Sequence, residues 1–153
     1  MPQNQVGPLA KEIAQAHIDG NISITKTGPS GLQLTFHALD SGMCEKYARM
    51  CCALVSGDSF PEWAQDTAQD TEDKLAEMGF EVQAADGGEI GDLYYWHSGS
   101  VGHVTIKVGN GLFAEDTSDP DRGNPLGAGI KLTPYAQVAA KHPDGFRVFR
   151  PLG

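Results

Sequence analysis

Two distant segments of the chain carry residues that could act together as a nucleophile and its base. Cys44 lies where the pattern of residues 41–49 predicts that a loop passes into a helix. His103 lies in a segment that alternates polar and apolar residues, as a strand does. A helix N-terminus and a neighbouring imidazole both favour the thiolate form of cysteine. The two residue types therefore predict a nucleophilic site, provided that the fold brings them together.

A base of this kind needs a third group that orients its second nitrogen, and two adjacent carboxylates are candidates. Glu115 and Asp116 lie on the strand predicted to follow an Asn110-Gly111 turn. A two-residue turn would pair Thr105 with Asp116 and place Asp116 on the His103 face. A three-residue turn with a bulge would pair Thr105 with Glu115 instead. The residues alone leave both registers open.

Hydrophobic spacing predicts the elements that must position these residues. Helices are expected over residues 9–19, from just after Gly42 to Gly57, and over 61–78 and 134–140. Strands are expected on both sides of a turn at 28–31 and around residues 80–82, 93–96, 104–108, 112–114 and 146–149. Residues 119–129 read as a polar loop. Because helices precede an antiparallel sheet, the predicted class is α+β, with the nucleophile's helix packed on that sheet in a single domain of 153 residues.

Composition excludes several classes of function. A formal net charge of −9 without clustered basic residues argues against nucleic-acid binding and against adhesion to anionic membranes. Cys51 and Cys52 share the predicted helix with Cys44, so the three cysteines are not expected to form a disulfide framework. Cys51 and Cys52 are expected in the core. Without C-x-x-C spacing a zinc site is not expected. The acidic run of residues 116–124 lacks EF-hand spacing, so no metal or cofactor is predicted.

Four features together resemble the NlpC/P60 and CHAP peptidases, which are papain-like cysteine hydrolases of bacterial cell-wall peptides. They are the Gly91-Asp92 strand start, the Gly102-His103-Val104 strand, the Gly109-Asn110-Gly111 turn and the helix-tip Cys44. The resemblance covers roughly residues 41–118 and is most specific over 91–118. In NlpC/P60 members the third polar residue stands twelve positions after the histidine, so the resemblance ranks Glu115 above Asp116.

The resemblance implies a papain-like fold and acyl transfer on amide or peptide bonds of peptidoglycan stem peptides, without a cofactor. The Cys44 thiolate would attack the carbonyl, with the backbone N–H of Cys44 as an oxyanion donor. His103 would protonate the leaving amine and then activate the water that releases the acyl group. Tyr95 and Trp96 are candidates for lining the substrate cleft, although aromatic residues of a strand more often pack in the core.

Two alternatives remain at this point: a non-catalytic virion or scaffold module with an inert Cys44, and a thiol hydrolase of a non-wall amide or ester. Residues 1–6 lack the pattern of a secretory signal. A wall hydrolase made in the cytoplasm would then reach its substrate by phage lysis, in a virion or through dedicated secretion, with export machinery, virion or immunity proteins as partners. Residues 1–40 are interpreted as an extension of unclear role that would cover the cleft or dock a partner.

Overall fold

A five-stranded antiparallel sheet between helices organises the chain. The computed structural model describes residues 2–40, 43–83, 88–99, 101–118 and 128–153. In chain order its elements are a 3₁₀ helix Pro2–Gln5, α1 Val6–Ile18, β1 Ser23–Thr27, β2 Gln33–His37, α2 Cys44–Ser56, α3 Ala68–Glu77, β3 Leu93–Ser98, β4 Val101–Gly109, β5 Leu112–Thr117, β6 Gly129–Pro134, α4 Tyr135–Lys141 and β7 Phe146–Phe149.

The sheet has the strand order β6-β5-β4-β3-β7, and β1 and β2 form a separate antiparallel hairpin. Strand β4, which carries His103, is therefore central, with β5 on one side and β3 on the other. Ile106 pairs with Ala114, and the register shifts between Lys107 and Gly109, where the strand bulges. The predicted α+β class and the antiparallel sheet are confirmed.

Side chains of the sheet alternate between two apolar layers. Val104, Ile106 and Val108 belong to the main core, which also contains buried residues of α1 and α2. The opposite face holds a smaller aromatic cluster around Trp96 and Phe113, covered by Val138 of α4. Both faces of the central strands are therefore covered, and residues 93–96 of β3 are all buried.

Helix α2 is held firmly at both ends. The Tyr47 hydroxyl donates a hydrogen bond of 2.8 Å to the Ala10 carbonyl of α1, which ties the two helices together. Gly57 ends the helix in the left-handed conformation at φ 82°, and its N–H donates to Ala53 O. At the other end, Met43 offers no side-chain cap, so the first N–H groups of α2 stay available to other acceptors.

Residues 1–40 do not form a separate extension. Val6, Ala10 and Ile13 of α1 are fully buried in the main core. The Gln3 side chain donates to Gly91 O at 2.7 Å and accepts from the Leu152 N–H at 2.9 Å, which joins both ends of the chain to the start of β3. Helix α1 of this segment therefore builds part of the core under the sheet, and a role of the segment in covering the cleft or docking a partner stays a prediction.

Several boundaries differ from the predicted ones. Helix α3 begins at Ala68 instead of residue 61, because Thr67 is extended and its hydroxyl accepts from the Asp70 N–H at 3.0 Å. The strand predicted at 80–82 reduces to one bridge between Glu81 and Phe149. Strand β6 was not predicted, and the polar loop before it lies mostly outside the described residues. No described helix combines the length and apolar composition needed to cross a bilayer.

Gly91 tests how tightly the N-terminal segment is built against β3. At φ +98° an added Cβ would lie 2.0 Å from Gln3 O, whereas at Gly20, with φ +102°, it would meet nothing within 4 Å. We expect Gly91→Ala to lower the free energy of unfolding by about 3 kcal/mol or more, from backbone strain and steric overlap together. Gly20→Ala should lower it by only about 1–2 kcal/mol. Urea unfolding measures both values, and equal losses would contradict this close packing.

Candidate active site

The start of helix α2 meets strand β4 at Cys44 and His103. The sulfur of Cys44 lies close enough to the His103 imidazole, and to the backbone N–H groups of Glu45 and Val104, for each of them to lower the pKa of the thiol. Cys44 is half-buried at the helix tip, while His103 is only 7% exposed. The two residues singled out from the sequence are therefore neighbours in space.

The surroundings of Cys44 favour its thiolate. Burial raises the pKa of the thiol, but the hydrogen bond and charge of His103, with the N–H groups of Val104 and Glu45, bring it below its ordinary value of 9.0. Burial instead raises the pKa of Cys51 well above 9.0 and that of Cys52 to about 12. Of the three cysteines, only Cys44 has the environment of a nucleophile.

Glu115 holds the other side of the histidine ring. Its Oε1 lies 2.6 Å from His103 Nε2, and the glutamate is fully buried. Nδ1 is therefore the ring nitrogen left for the Cys44 sulfur. Burial lowers the pKa of His103, but the hydrogen bonds and charges of Cys44 and Glu115 raise it to about 9. Both shifts favour a thiolate beside an imidazolium over the neutral pair, with Glu115 behind the ring.

The bulge in β4 decides which carboxylate reaches His103. Continuing the observed register from Ile106 and Ala114 pairs Thr105 with Glu115, as the bulged alternative required. Asp116 therefore points to the other face of the sheet and makes no hydrogen bond to His103. Of the two carboxylates left open by the sequence, Glu115 and not Asp116 therefore orients His103.

Tyr95 and Trp96 do not line a cleft. Their exposed fractions are 0% and 1%, because β3 lies between two strands and is covered on both faces. The Tyr95 hydroxyl donates to both carboxyl oxygens of Glu45, at 3.2 and 3.0 Å, and Trp96 Nε1 donates to Thr105 Oγ1 at 2.9 Å. The predicted substrate-binding role is corrected to a packing role.

Glu45, next to the nucleophile, was missed by the sequence reasoning. Burial raises its pKa well above 4.5; the Tyr95 hydrogen bond lowers it, and the charge of Cys44 raises it further. This shift favours the protonated form of Glu45, which places no negative charge beside the Cys44 sulfur. A glutamate in the first turn of a helix is normally read as ionised, and only the burial seen in three dimensions reverses that reading.

His142 was also missed. Its ring stacks on that of His103 with centroids 4.9 Å apart and planes 10° apart, and it is 9% exposed at the end of α4. This stacking contact covers one face of the His103 ring, whereas the hydrogen bond to Glu115 is made at the edge of that ring. Nothing in the sequence around His142 links it to residue 103, which lies on another element.

No cluster of three or more His, Cys, Asp or Glu side chains in the described parts of the chain is arranged to hold a metal ion. Most of the acidic run after Asp116, which was considered for calcium, lies outside those parts. A comparison with models of known protein families finds no match, and a comparison with curated proteins also finds none. Function must therefore be inferred from the geometry of the site.

Loss of the Glu115 charge should make Cys44 less reactive. In Glu115→Gln the imidazolium loses its carboxylate partner, so the pKa of His103 falls and that of Cys44 rises. We expect alkylation of Cys44 by iodoacetamide at pH 7 to slow about tenfold for each unit by which the thiol pKa rises. Mass spectrometry of the Cys44 peptide as a function of pH measures the shift. Glu77→Gln, on an exposed part of α3, is the matched control, and identical pH curves for all three proteins would contradict this role.

Glu45 allows a separate test of its charge. Glu45→Gln should leave the pH curve for Cys44 alkylation nearly unchanged, because burial favours the protonated glutamate, which carries the same charge as glutamine. Glu45→Ala should lower the free energy of unfolding by about 1–3 kcal/mol, since the buried Tyr95 hydroxyl loses its acceptor. A shift of the Cys44 curve by a full pH unit in Glu45→Gln would mean that Glu45 is ionised in the native protein.

Proposed function

We propose that this chain is a papain-like cysteine hydrolase that cleaves peptide or amide bonds of bacterial peptidoglycan. One observation carries the proposal: a helix-tip thiol with a lowered pKa contacts an imidazole whose other nitrogen is held by a buried carboxylate. Structural cysteines in apolar cores lack such partners, as Cys51 and Cys52 illustrate.

The proposed reaction uses Cys44 as nucleophile and His103 as the proton carrier. The thiolate attacks the amide carbonyl, and the oxygen takes the negative charge. The backbone N–H of Cys44 is suited to stabilise that oxygen, since the first N–H groups of a helix lack intrahelical partners and Met43 provides no cap. The imidazolium then gives its proton to the leaving amine as the C–N bond breaks.

Release of the product returns the site to its starting state. Neutral His103 takes a proton from water, the hydroxide adds to the thioester carbonyl, and the C–S bond breaks to give a carboxylic acid and the Cys44 thiolate. Glu115 stays ionised and stabilises the imidazolium whenever it forms. Each proton removed in one half of the cycle is supplied in the other, so no external reagent besides water is needed.

Two further features support a wall peptide as the substrate. The motifs of residues 91–118 that resemble the wall peptidases surround the site, and the nucleophile's helix packs on an antiparallel sheet, as the papain-like arrangement requires. A cavity of about 270 Å³ also adjoins the start of α2, lined by Glu45, Lys46, Arg49 and Phe60 among others. It offers room for an extended peptide segment beside Glu45, the residue that follows Cys44.

Digestion of purified peptidoglycan tests the proposal. The wild-type chain should release fragments that carry new amino and carboxyl termini, detected by amine labelling and mass spectrometry. Cys44→Ala should lower the rate by at least about a thousandfold, as expected when the nucleophile of a coupled pair is removed. Cys51→Ala, which alters a buried thiol of the same helix, should retain activity and serves as the matched control.

Each other result has a distinct meaning. Equal release by wild type and Cys44→Ala would show that Cys44 is not the nucleophile. No release, together with rapid alkylation of Cys44, would point to a different amide or ester as the substrate. No release and slow alkylation would favour a non-catalytic module with an inert thiol.

A further inference from the structure

A second, smaller cavity also adjoins the nucleophile's helix α2. It has a volume of about 20 Å³ and lies between the β1–β2 hairpin, α2 and β5. Among its lining residues are Phe36, Asp40, Met43, Lys46 and Asp116. Met43, which lines the cavity, directly precedes the proposed nucleophile Cys44 in the chain.

Asp116 brings an unsatisfied polar group to this cavity. The residue is 3% exposed, and among the described residues its buried Oδ1 has no hydrogen-bond partner. Lys46 lines the same cavity, yet no ion pair joins it to Asp116 within the described part of the chain. A buried carboxyl oxygen without a donor is costly and rare in native proteins. A positively charged donor placed in the cavity would satisfy this oxygen.

We propose that this cavity binds a primary ammonium group of the substrate, with Asp116 as its main partner and Asp40 as a second carboxylate. This assignment rests on the proposed hydrolase function, because the ammonium group would belong to the peptide that Cys44 attacks. The volume is close to that needed for one water molecule, which an ammonium head matches and a planar guanidinium exceeds. Apolar walls from Phe36, Tyr47 and Met50 lower the local dielectric and suit the methylene groups that carry an ammonium.

The charges around Asp116 agree with this assignment. Burial raises the pKa of Asp116 to about 7; the charges of Asp40 and Glu115 also raise it, and those of His103 and Lys46 lower it. His37 of β2 lines the same cavity. Without a bound cation, the Asp116 carboxyl group is thus about half ionised at neutral pH. Because a bound cation favours the ionised carboxylate, affinity for the ammonium group should increase between pH 6 and pH 8.

Binding can be measured without turnover in the Cys44→Ala chain. The probe is a synthetic peptidoglycan stem peptide with free α- and ε-ammonium groups, and its fully N-acetylated form removes both charges. Isothermal titration should show that the free peptide binds about tenfold to a hundredfold tighter, the range expected for a charge-assisted hydrogen bond. The two singly acetylated peptides identify which ammonium group is recognised.

Variants then assign the preference to Asp116. Added to Cys44→Ala, Asp116→Asn should remove the preference for the free peptide, while Asp73→Asn, which alters an exposed residue of α3, should keep it. Equal affinity of the Cys44→Ala chain for free and acetylated peptide would overturn the proposal, and this arm needs no variant of Asp116. A preference that survives in Asp116→Asn would overturn it as well.

Turnover separates this proposal from the one on which it rests. If the Cys44-containing chain hydrolyses both peptides with the same kcat/KM, the ammonium site is wrong and the hydrolase proposal stands. If it hydrolyses neither peptide, yet the Cys44→Ala chain still prefers the free peptide through Asp116, the ammonium site stands and the hydrolase proposal fails.

Discussion

The contact between the Cys44 sulfur and the His103 ring is the interaction on which the functional part of this structure depends. An isolated ion at a mostly buried position would be strongly unfavourable, and each partner would return to its neutral form. Here the thiolate interacts with the N–H groups of Glu45 and Val104, and Glu115 lies behind the imidazolium. Negative and positive groups alternate from Cys44 through His103 to Glu115. This alternation favours the ionised forms of Cys44 and His103 at a position where either ion alone would be unfavourable.

The fold supplies each of these partners from a different element. Helix α2 brings the sulfur, β4 the imidazole and β5 the carboxylate, and the buried contacts of Tyr47 and Cys51 keep α2 in place on the sheet. One additional residue in the β4–β5 connection sets the register, because a slip by one residue moves every side chain of β5 to the other face. The bulge is therefore as important to the site as any of its side chains.

The sequence predicted the features that neighbouring residues determine, but not those that depend on residues far away in the chain. The helix of Cys44, its end at Gly57 and the strand of His103 follow from local spacing, and their pairing followed from the chemistry of the two residues. The register of Glu115 was left open, because Asn110-Gly111 fits both turns. The burial of Tyr95 depends on helices far away in sequence, and so does the raised pKa of Glu45. Local patterns therefore predicted the candidate residues Cys44 and His103 but not their surroundings.

The different settings of Glu115 and Asp116 follow from their adjacency in one strand. Successive side chains of a strand point to opposite faces, so one carboxylate reaches His103 and the other reaches the cavity beside Met43. Two ionised carboxylates so close in a buried region would repel each other, and in the empty site Asp116 avoids this by holding a proton much of the time. An entering ammonium group would replace that proton with another positive charge. The local charge near His103 would then stay nearly constant, so in the proposed reaction the substrate would bind without disturbing the pair formed by Cys44 and His103.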